Sequence, residues 1–411
     1  MSVGVEREGR LQTFRAFRHR NFRLWFLGQT VSLFGTWMQA TAQGFLVYQL
    51  TRSPAYLGYV AFSAGIPSWL LMLYGGAVAD RMPRRTLLLV TQASMMVLAF
   101  LLAGLTFGGI VKPWHIVALA FALGIANAFD APARQAFVWE LVDLEDLTNA
   151  VALNAVMFNT ATVVGPAAAG IVYASLGPGW CFVFNGISFL AVIAALLFME
   201  IQRRGDLGQG TSTPSGISEG IRYVASHPVI RTVVLLVTSV SVFGWSLISL
   251  MPAWAVDVLH GDAQTNGLLQ AARGLGALVG ALTLATLSQQ LPRGRALILG
   301  SLLYPLLMLA FAWVWWLPGS FLLLAAIGTS TIFVVNLSNA LVQSLVPDRI
   351  RGRVMGVYSL TFLGGMPLGS LLLGIVARLL GVPKAITTSA LISLAVGIVL
   401  LAFHPSIQDI Q

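Results

Sequence analysis

Two octapeptides decide the fold, Asn127-Ala-Phe-Asp130-Ala-Pro-Ala-Arg134 and, 209 residues later, Asn336-Leu-Ser-Asn339-Ala-Leu-Val-Gln343. Each holds three polar side chains spaced three and then four residues apart, which puts them on one face of a helix, and each interrupts a long apolar stretch. The same offset superposes Gly58 on Gly267, Gly65 on Gly274, Pro83 on Pro292 and Arg84 on Arg293. In a chain with 41 glycines, chance glycine matches are easy. A fixed offset that also aligns polar trios inside apolar helices is harder to produce. Further along the register tightens, with Pro166 matching Pro367, so the first half has a longer connection around Glu140 to Asn149.

The chain around these segments is 411 residues long, 57% hydrophobic and only 9% charged, with a mean hydropathy of +0.82. Those proportions point to a bilayer as solvent and exclude an ordinary cytoplasmic enzyme. Twelve spans of roughly 20 residues use about 240 positions. The apolar runs are Asn21 to Leu50, Tyr56 to Ala79, Thr86 to Gly108, Trp114 to Val138, Ala150 to Tyr173 and Cys181 to Met199, then Val229 to Val256, Thr265 to Ser288, Ala296 to Trp316, Ser320 to Ser344, Val354 to Arg378 and Ala385 to Phe403. The predicted fold is therefore an all-α membrane protein of twelve transmembrane helices in two six-helix repeats. Its parts are an arm (1–20), an N-terminal bundle (21–199), a linker (200–228), a C-terminal bundle (229–403) and a tail (404–411). Glycines, serines and threonines make the first part of the linker flexible, and Ile217 to Val224 can form a surface helix.

The net charge of +9 does not indicate nucleic acid, because the basic residues fall in small groups between apolar runs. Placing the N terminus in the cytoplasm puts Arg81, Arg84, Arg85, Arg203, Arg204, Arg222, Arg231, Arg293, Arg295, Arg349, Arg351 and Arg353 on that side. Only Arg52, Lys112, Arg378 and Lys384 then lie outside, as the positive-inside bias requires. Both termini are expected in the cytoplasm. The single cysteine, Cys181, excludes an intrachain disulfide, and the five histidines form no metal-binding pair at helical spacing. Gly274 and Gly276 lie within a helix and lack the strand and lysine of a phosphate loop, which excludes a nucleotide motor.

Polar residues inside the spans carry the functional expectations. Gln29, Ser32, Thr36, Gln39 and Gln43 form one stripe along the first helix, read either as the wall of a wet cavity or as hydrogen-bonding partners for neighbouring helices. Asp130 and Arg134, one turn apart, can pair, with Asn127 on the same face. A structural salt bridge is the leading reading, and Asp130 is otherwise the candidate proton carrier. Arg273 lies deep in its span with Gln270 nearby. It is either an attractor for an anionic or catechol-like substrate or a partner for Asp257 or for a backbone carbonyl near the outer surface.

These features together resemble the major facilitator superfamily. Gly76, Asp80, Arg81, Arg84 and Arg85 look like that family's loop between the second and third spans, with Pro83 where glycine is usual. The second copy has Gln289 and Gln290 at the positions of Asp80 and Arg81. The resemblance implies a gating role for this loop. Asn127 to Val142, with Gly165, Pro166 and Gly170, looks like the branch containing bacterial siderophore exporters and macrolide-type efflux proteins. Gly165, Pro166 and Gly170 also resemble the family's antiporter motif, with Ala169 in place of one of its glycines.

The resemblance implies a proton-coupled exporter of amphipathic small molecules in the bacterial cytoplasmic membrane, with the path where the copies meet. Candidate cavity residues are Gln29, Ser32, Thr36, Gln39, Gln43, Asn127, Gln270, Arg273, Asn336, Asn339 and Gln343. Membrane lipid is the expected surroundings, the proton is the expected coupling ion, and neither a cofactor, a metal, nucleic acid nor an obligate protein partner is expected. The alternatives are a lipid or lysophospholipid carrier of the same fold, a channel, or a nonconducting scaffold.

Overall fold

The computed structural model describes residues 14–200, 214–287 and 292–403. The arm up to residue 13, linker residues 201–213, Gln289, Gln290 and the tail lie outside the described residues. Everything described is helical or a short connection. The long helices are α1 (Arg20–Thr51), α2 (Pro54–Arg81), α3 (Arg84–Phe107), α4 (Pro113–Leu141), α5 (Leu147–Leu176) and α6 (Pro178–Phe198). After them come α7 (Pro214–Ser226), α8 (Pro228–Ser239), α9 (Ala263–Leu287), α10 (Arg293–Phe311), α11 (Leu317–Leu345), α12 (Asp348–Leu380) and α13 (Val382–Phe403). A helical path continues α8 to Val258 through a π segment at Val240–Gly244, a 3-10 segment at Trp245–Leu250 and a second π segment at Trp254–Val258.

Proline opens α2, α4, α6 and α8 at their first turn, where its missing N–H removes no helical bond. Two hairpins turn on glycines with left-handed backbone, Gly177 (φ +93°) between α5 and α6 and Gly381 (φ +87°) between α12 and α13. A side chain there would strain the turn. Prolines 166 and 367 sit inside α5 and α12 without ending them.

Eleven stretches among the described residues are long and apolar enough to cross a membrane, with α8 and its continuation counted as one. The chain is thus an all-α, multi-pass membrane protein. Outside that set are the 13-residue α7 and the much longer α1. At 32 residues it is about 48 Å long, ample for a bilayer, but its glutamines, serine and threonines dilute its apolar surface.

Within the first half α2 packs on α4, where Gly75 meets the backbone of Ala128, Gly124 meets that of Ala64, and Ser68 Oγ donates to Gly124 O at 2.9 Å. Gly28 and Gly35 bring α1 against α6. In the second half α9 and α11 approach through Gly276, Gly280 and Gly328. Without a hydrophobic force between helices in lipid, such close backbone approaches supply the dispersion contacts that hold them together. α7 lies on α12, with Gly220 against the Arg353 backbone and Glu219 paired with the Arg353 guanidinium.

Candidate functional site

The two halves touch along α2–α12 and α5–α9, and the hydrogen bonds that join them among the described residues lie at mid-helix or toward one end. Nearest that end, Tyr48 of α1 donates its hydroxyl hydrogen to Asp257, the residue 209 positions later. Deeper in, Thr41 Oγ1 donates to Gln270 Oε1 at 3.3 Å, and at mid-helix Trp69 Nε1 donates to Leu360 O at 3.0 Å. Between these points glycine sets the spacing. A Cβ on Gly374 would stand 3.0 Å from Gly58 Cα, and one on Gly267 would stand 2.9 Å from Gly170 Cα. Gly65 lies against the Pro367 ring. A vestibule of about 560 Å³ caps this sealed end, lined by Tyr48, Arg52, Tyr56, Asp257 and Arg378 among others.

At the opposite, arginine-rich end no hydrogen bond or ion pair joins the halves among the described residues. A Cβ on Gly76, Gly352 or Gly356 would meet open space. The loop residues that resemble the family's gate are held within the first half. Arg84 Nη1 donates to Glu140 Oε1 at 2.6 Å and Arg85 Nη2 to Leu197 O at 3.0 Å. Asp80 and Arg81 are exposed. Gly165, Pro166 and Gly170 lie where α5 is most crowded. Gly165 faces Trp37 of α1, while Pro166 and Gly170 face Gly267 of α9.

The polar stripe of α1 divides between two roles. Gln29, Ser32, Gln39 and Gln43 are buried, and Thr36 bonds its own helix at Ser32 O (2.9 Å). Gln39 Oε1 accepts from Asn185 Nδ2 of α6 at 2.8 Å, so its amide braces two helices of the first half. The α1 residues that bond to the other half are Thr41 and Tyr48, both off the stripe. Asp130 is buried between α4 and α3. Its Oδ1 accepts from Thr91 Oγ1 and Gln92 Nε2, both at 2.9 Å, and its Oδ2 lies 3.6 Å from Arg134 Nε. Asn127 is half-buried. In the second trio Asn336 is exposed, and the Gln343 amide donates to Asn339 Oδ1.

Arg273 is 7% exposed, and its Nε has no hydrogen-bond partner among the described residues. Its guanidinium carbon sits 5.6 Å from the centroid of Trp245, a cation–π contact. Asp257, the acidic partner considered from the sequence, bonds Tyr48 instead. Trp245, Thr41 and Asn266 carry no expectation from the sequence, and neither does the pairing of Tyr48, an aromatic expected near the cavity, with Asp257. The 209-residue offset contains the signal for Tyr48 and Asp257, since matching positions of two copies meet at the axis between them. Trp245 has no comparable signal. No group of three His, Cys, Asp or Glu side chains among the described residues is placed to hold a metal ion.

Two helical halves bonded to each other toward one end and, among the described residues, not bonded at the other, with buried polar groups where they meet, define a secondary transporter of the alternating-access type rather than an enzyme. The chain belongs to the transmembrane secretion effector family of the major facilitator superfamily, whose family model matches residues 11–409. It is 24% identical to the staphyloferrin A transporter of Staphylococcus aureus, covering 91% of this chain and 94% of that one. It is 26% identical to the multidrug efflux pump Tap of Mycolicibacterium fortuitum, covering 92% and 94%. Among solved structures, a bacterial homologue of the lysosomal transporter Spinster, in an inward-facing and unoccupied conformation, superposes with a TM-score of 0.68 over 94% of this chain and 95% of that one, at 15% identity. That likeness concerns the fold.

Proposed function

We propose that the protein is a proton-coupled exporter of amphipathic small molecules, such as siderophores or drugs, in the bacterial cytoplasmic membrane. The carrying observation is the one-sided seal. Three hydrogen bonds and two glycine crossings join the halves from mid-helix to the end bearing Arg52 and Arg378, while among the described residues no hydrogen bond or ion pair joins them at the end bearing most of the arginines. With that arginine-rich end cytoplasmic and α1 as the twelfth span, the conformation is open to the cell interior, where an exporter loads. The similarity to an efflux pump over nine-tenths of both chains supports the outward direction.

In this reading the substrate path runs between α1, α8, α9 and α11, with Gln270, Asn336 and Asn339 on its walls. The halves rock about the glycine crossings. Asp130 is the protonation site, since among the described residues it is the one buried carboxylate in the interior of a spanning helix. Protonation removes its attraction for Arg134 and weakens the bonds from Thr91 and Gln92, which loosens α3 from α4. Arg84, Arg85 and Asp80 then engage the second half when the cytoplasmic end closes.

The test is transport in purified vesicles with an imposed proton gradient, offering siderophores, macrolides and lysophospholipids. Uphill, saturable movement of a siderophore or macrolide supports the reading. Movement of lysophospholipid alone would replace it with the lipid carrier, and unsaturable downhill flux with a channel.

A further inference from the structure

Along one face of α9 the structure leaves hydrogen-bond donors without acceptors. The chain of bonds has a direction. Thr41 Oγ1 donates to Gln270 Oε1 (3.3 Å), Gln270 Nε2 donates to Asn266 Oδ1 (3.2 Å), and Asn266 Nδ2 is left with no partner. One helical turn beyond Gln270, Arg273 Nε is also unpartnered, and so is the buried Nε1 of Trp245, whose ring the guanidinium faces. All three vacant groups are donors. No carboxylate stands within ion-pair distance of Arg273 among the described residues, and Asp257 is already bonded to Tyr48. Removing a cation from water without a counter-charge is among the most expensive arrangements in a protein interior. A packing role would be met at lower cost by methionine or leucine.

Position separates this cluster from an ordinary buried defect. Gln270 and Gly274, on either side of Arg273, both contact the other half, Gln270 through Thr41 and Gly274 through the backbone of Thr162. The α9 backbone at Arg273 therefore borders the other half, while the guanidinium itself lies against Trp245 and near the buried Tyr304 of the second half. Trp245 follows the π segment Val240–Gly244, which breaks the regular helix at the same depth. π insertions recur at functional sites because they re-aim the side chains beside them.

We infer that Arg273 and Trp245 form an oxyanion anchor, and that the solutes carried are amphipathic organic acids held by a carboxylate. This deepens the carrier reading above and rests on it. The guanidinium supplies paired N–H donors to the carboxylate, the Trp245 N–H supplies one more, and apolar helix surface receives the remainder of the solute. Phosphate bears the same oxyanion chemistry, so a lipid headgroup is the competing source of the ligand.

The experiment compares 2-naphthoxyacetate, its neutral primary amide and a lauroyl lysophosphatidate for binding to the purified full-length protein by calorimetry. Wild type should bind the acid at least about tenfold more tightly than the amide, the difference that one charge-assisted hydrogen bond provides. Arg273→Gln should bring the acid down to the amide's level, and Arg273→Lys should restore part of the preference. A second readout excludes a merely structural role. If the guanidinium waits for a ligand, Arg273→Met raises the unfolding midpoint of the empty protein, whereas a structural cation would lower it. Equal binding of acid and amide by wild type, no binding of the acid, or an unchanged preference in Arg273→Gln each overturns the assignment. Binding of lysophosphatidate in place of the acid overturns the organic-acid class. Uphill transport that ignores substrate charge leaves the carrier reading standing and removes this one. Acid-selective binding without uphill transport does the reverse.

Discussion

Replacing Gly267 with alanine should drive the protein away from the sealed conformation. The new Cβ would stand 2.9 Å from both the Cα and the N of Gly170 and closer still to the carbonyl oxygen of Pro166, whereas ordinary Cβ contacts begin near 3.4 Å. The obstructing atoms are backbone, so no side chain can swing aside, and relieving the closest contact takes α5 away from α9 by roughly an ångström. Overpacking of that kind costs ~1–3 kcal/mol, which at 1.4 kcal/mol per tenfold shifts the equilibrium between sealed and parted states by roughly 5- to 150-fold. Gly76→Ala is the matched control. Its Cβ meets nothing within 4 Å, and it gains the same helix propensity of about 1 kcal/mol. Spin labels at Leu176→Cys and Leu380→Cys, both exposed near the sealed end, report the separation in a Cys181→Ser background. Gly267→Ala should populate a longer distance and Gly76→Ala should not. Identical distance distributions for Gly267→Ala and wild type would refute the reasoning.

Three further outcomes follow from particular contacts. Tyr48→Phe removes the cross-half donor to Asp257, and because that carboxylate is exposed and hydrates the loss is about 0.5–1.5 kcal/mol, so the same label pair should show a several-fold larger parted population; no change would mean that the seal rests on the glycine crossings and the other two hydrogen bonds. Asp130→Asn can still accept from Thr91 and Gln92, while Arg134, a third exposed, hydrates. The fold should therefore persist with pH-driven uphill transport abolished, and undiminished transport at every pH would remove Asp130 from the coupling path. Glu140→Gln breaks the pair with Arg84 between side chains each about 30% exposed. With solvent screening the loss is ~0.2–1 kcal/mol, visible as a small drop in unfolding midpoint with the sealed-end distances unchanged.

Sequence showed the fold more fully than the site. Apolar runs and short arginine-bearing loops locate helices because a bilayer admits little else, and the helices at Pro166 and Pro367 continue because neighbouring helices support the interrupted turn. The polar stripe of α1 was visible, but not which neighbour each residue meets. Gln39 belongs to α6 because Gly35, one turn before it, brings that helix within reach of Asn185 and Ser188. Asp257 looked like a partner for Arg273 because both are charged and lie in consecutive spans. The axis between the halves pairs it with Tyr48 instead. Such choices depend on helix rotation and on long-range approach, and neither has a local signature. The π break before Trp245 is equally silent, since Val240–Gly244 reads as ordinary apolar helix with one glycine.

The bond between Tyr48 and Asp257 has a consequence for why one continuous polypeptide is useful here. Two separate, identical subunits would face each other across their dyad with like against like. Two aspartates there would repel, and two tyrosines would have no anion to receive a hydroxyl hydrogen. Joining both bundles in a single chain lets the paired sites differ, so the sealed end can have a donor on one side and an acceptor on the other. A polar clasp therefore sits at the spot that strict twofold symmetry would have left bare.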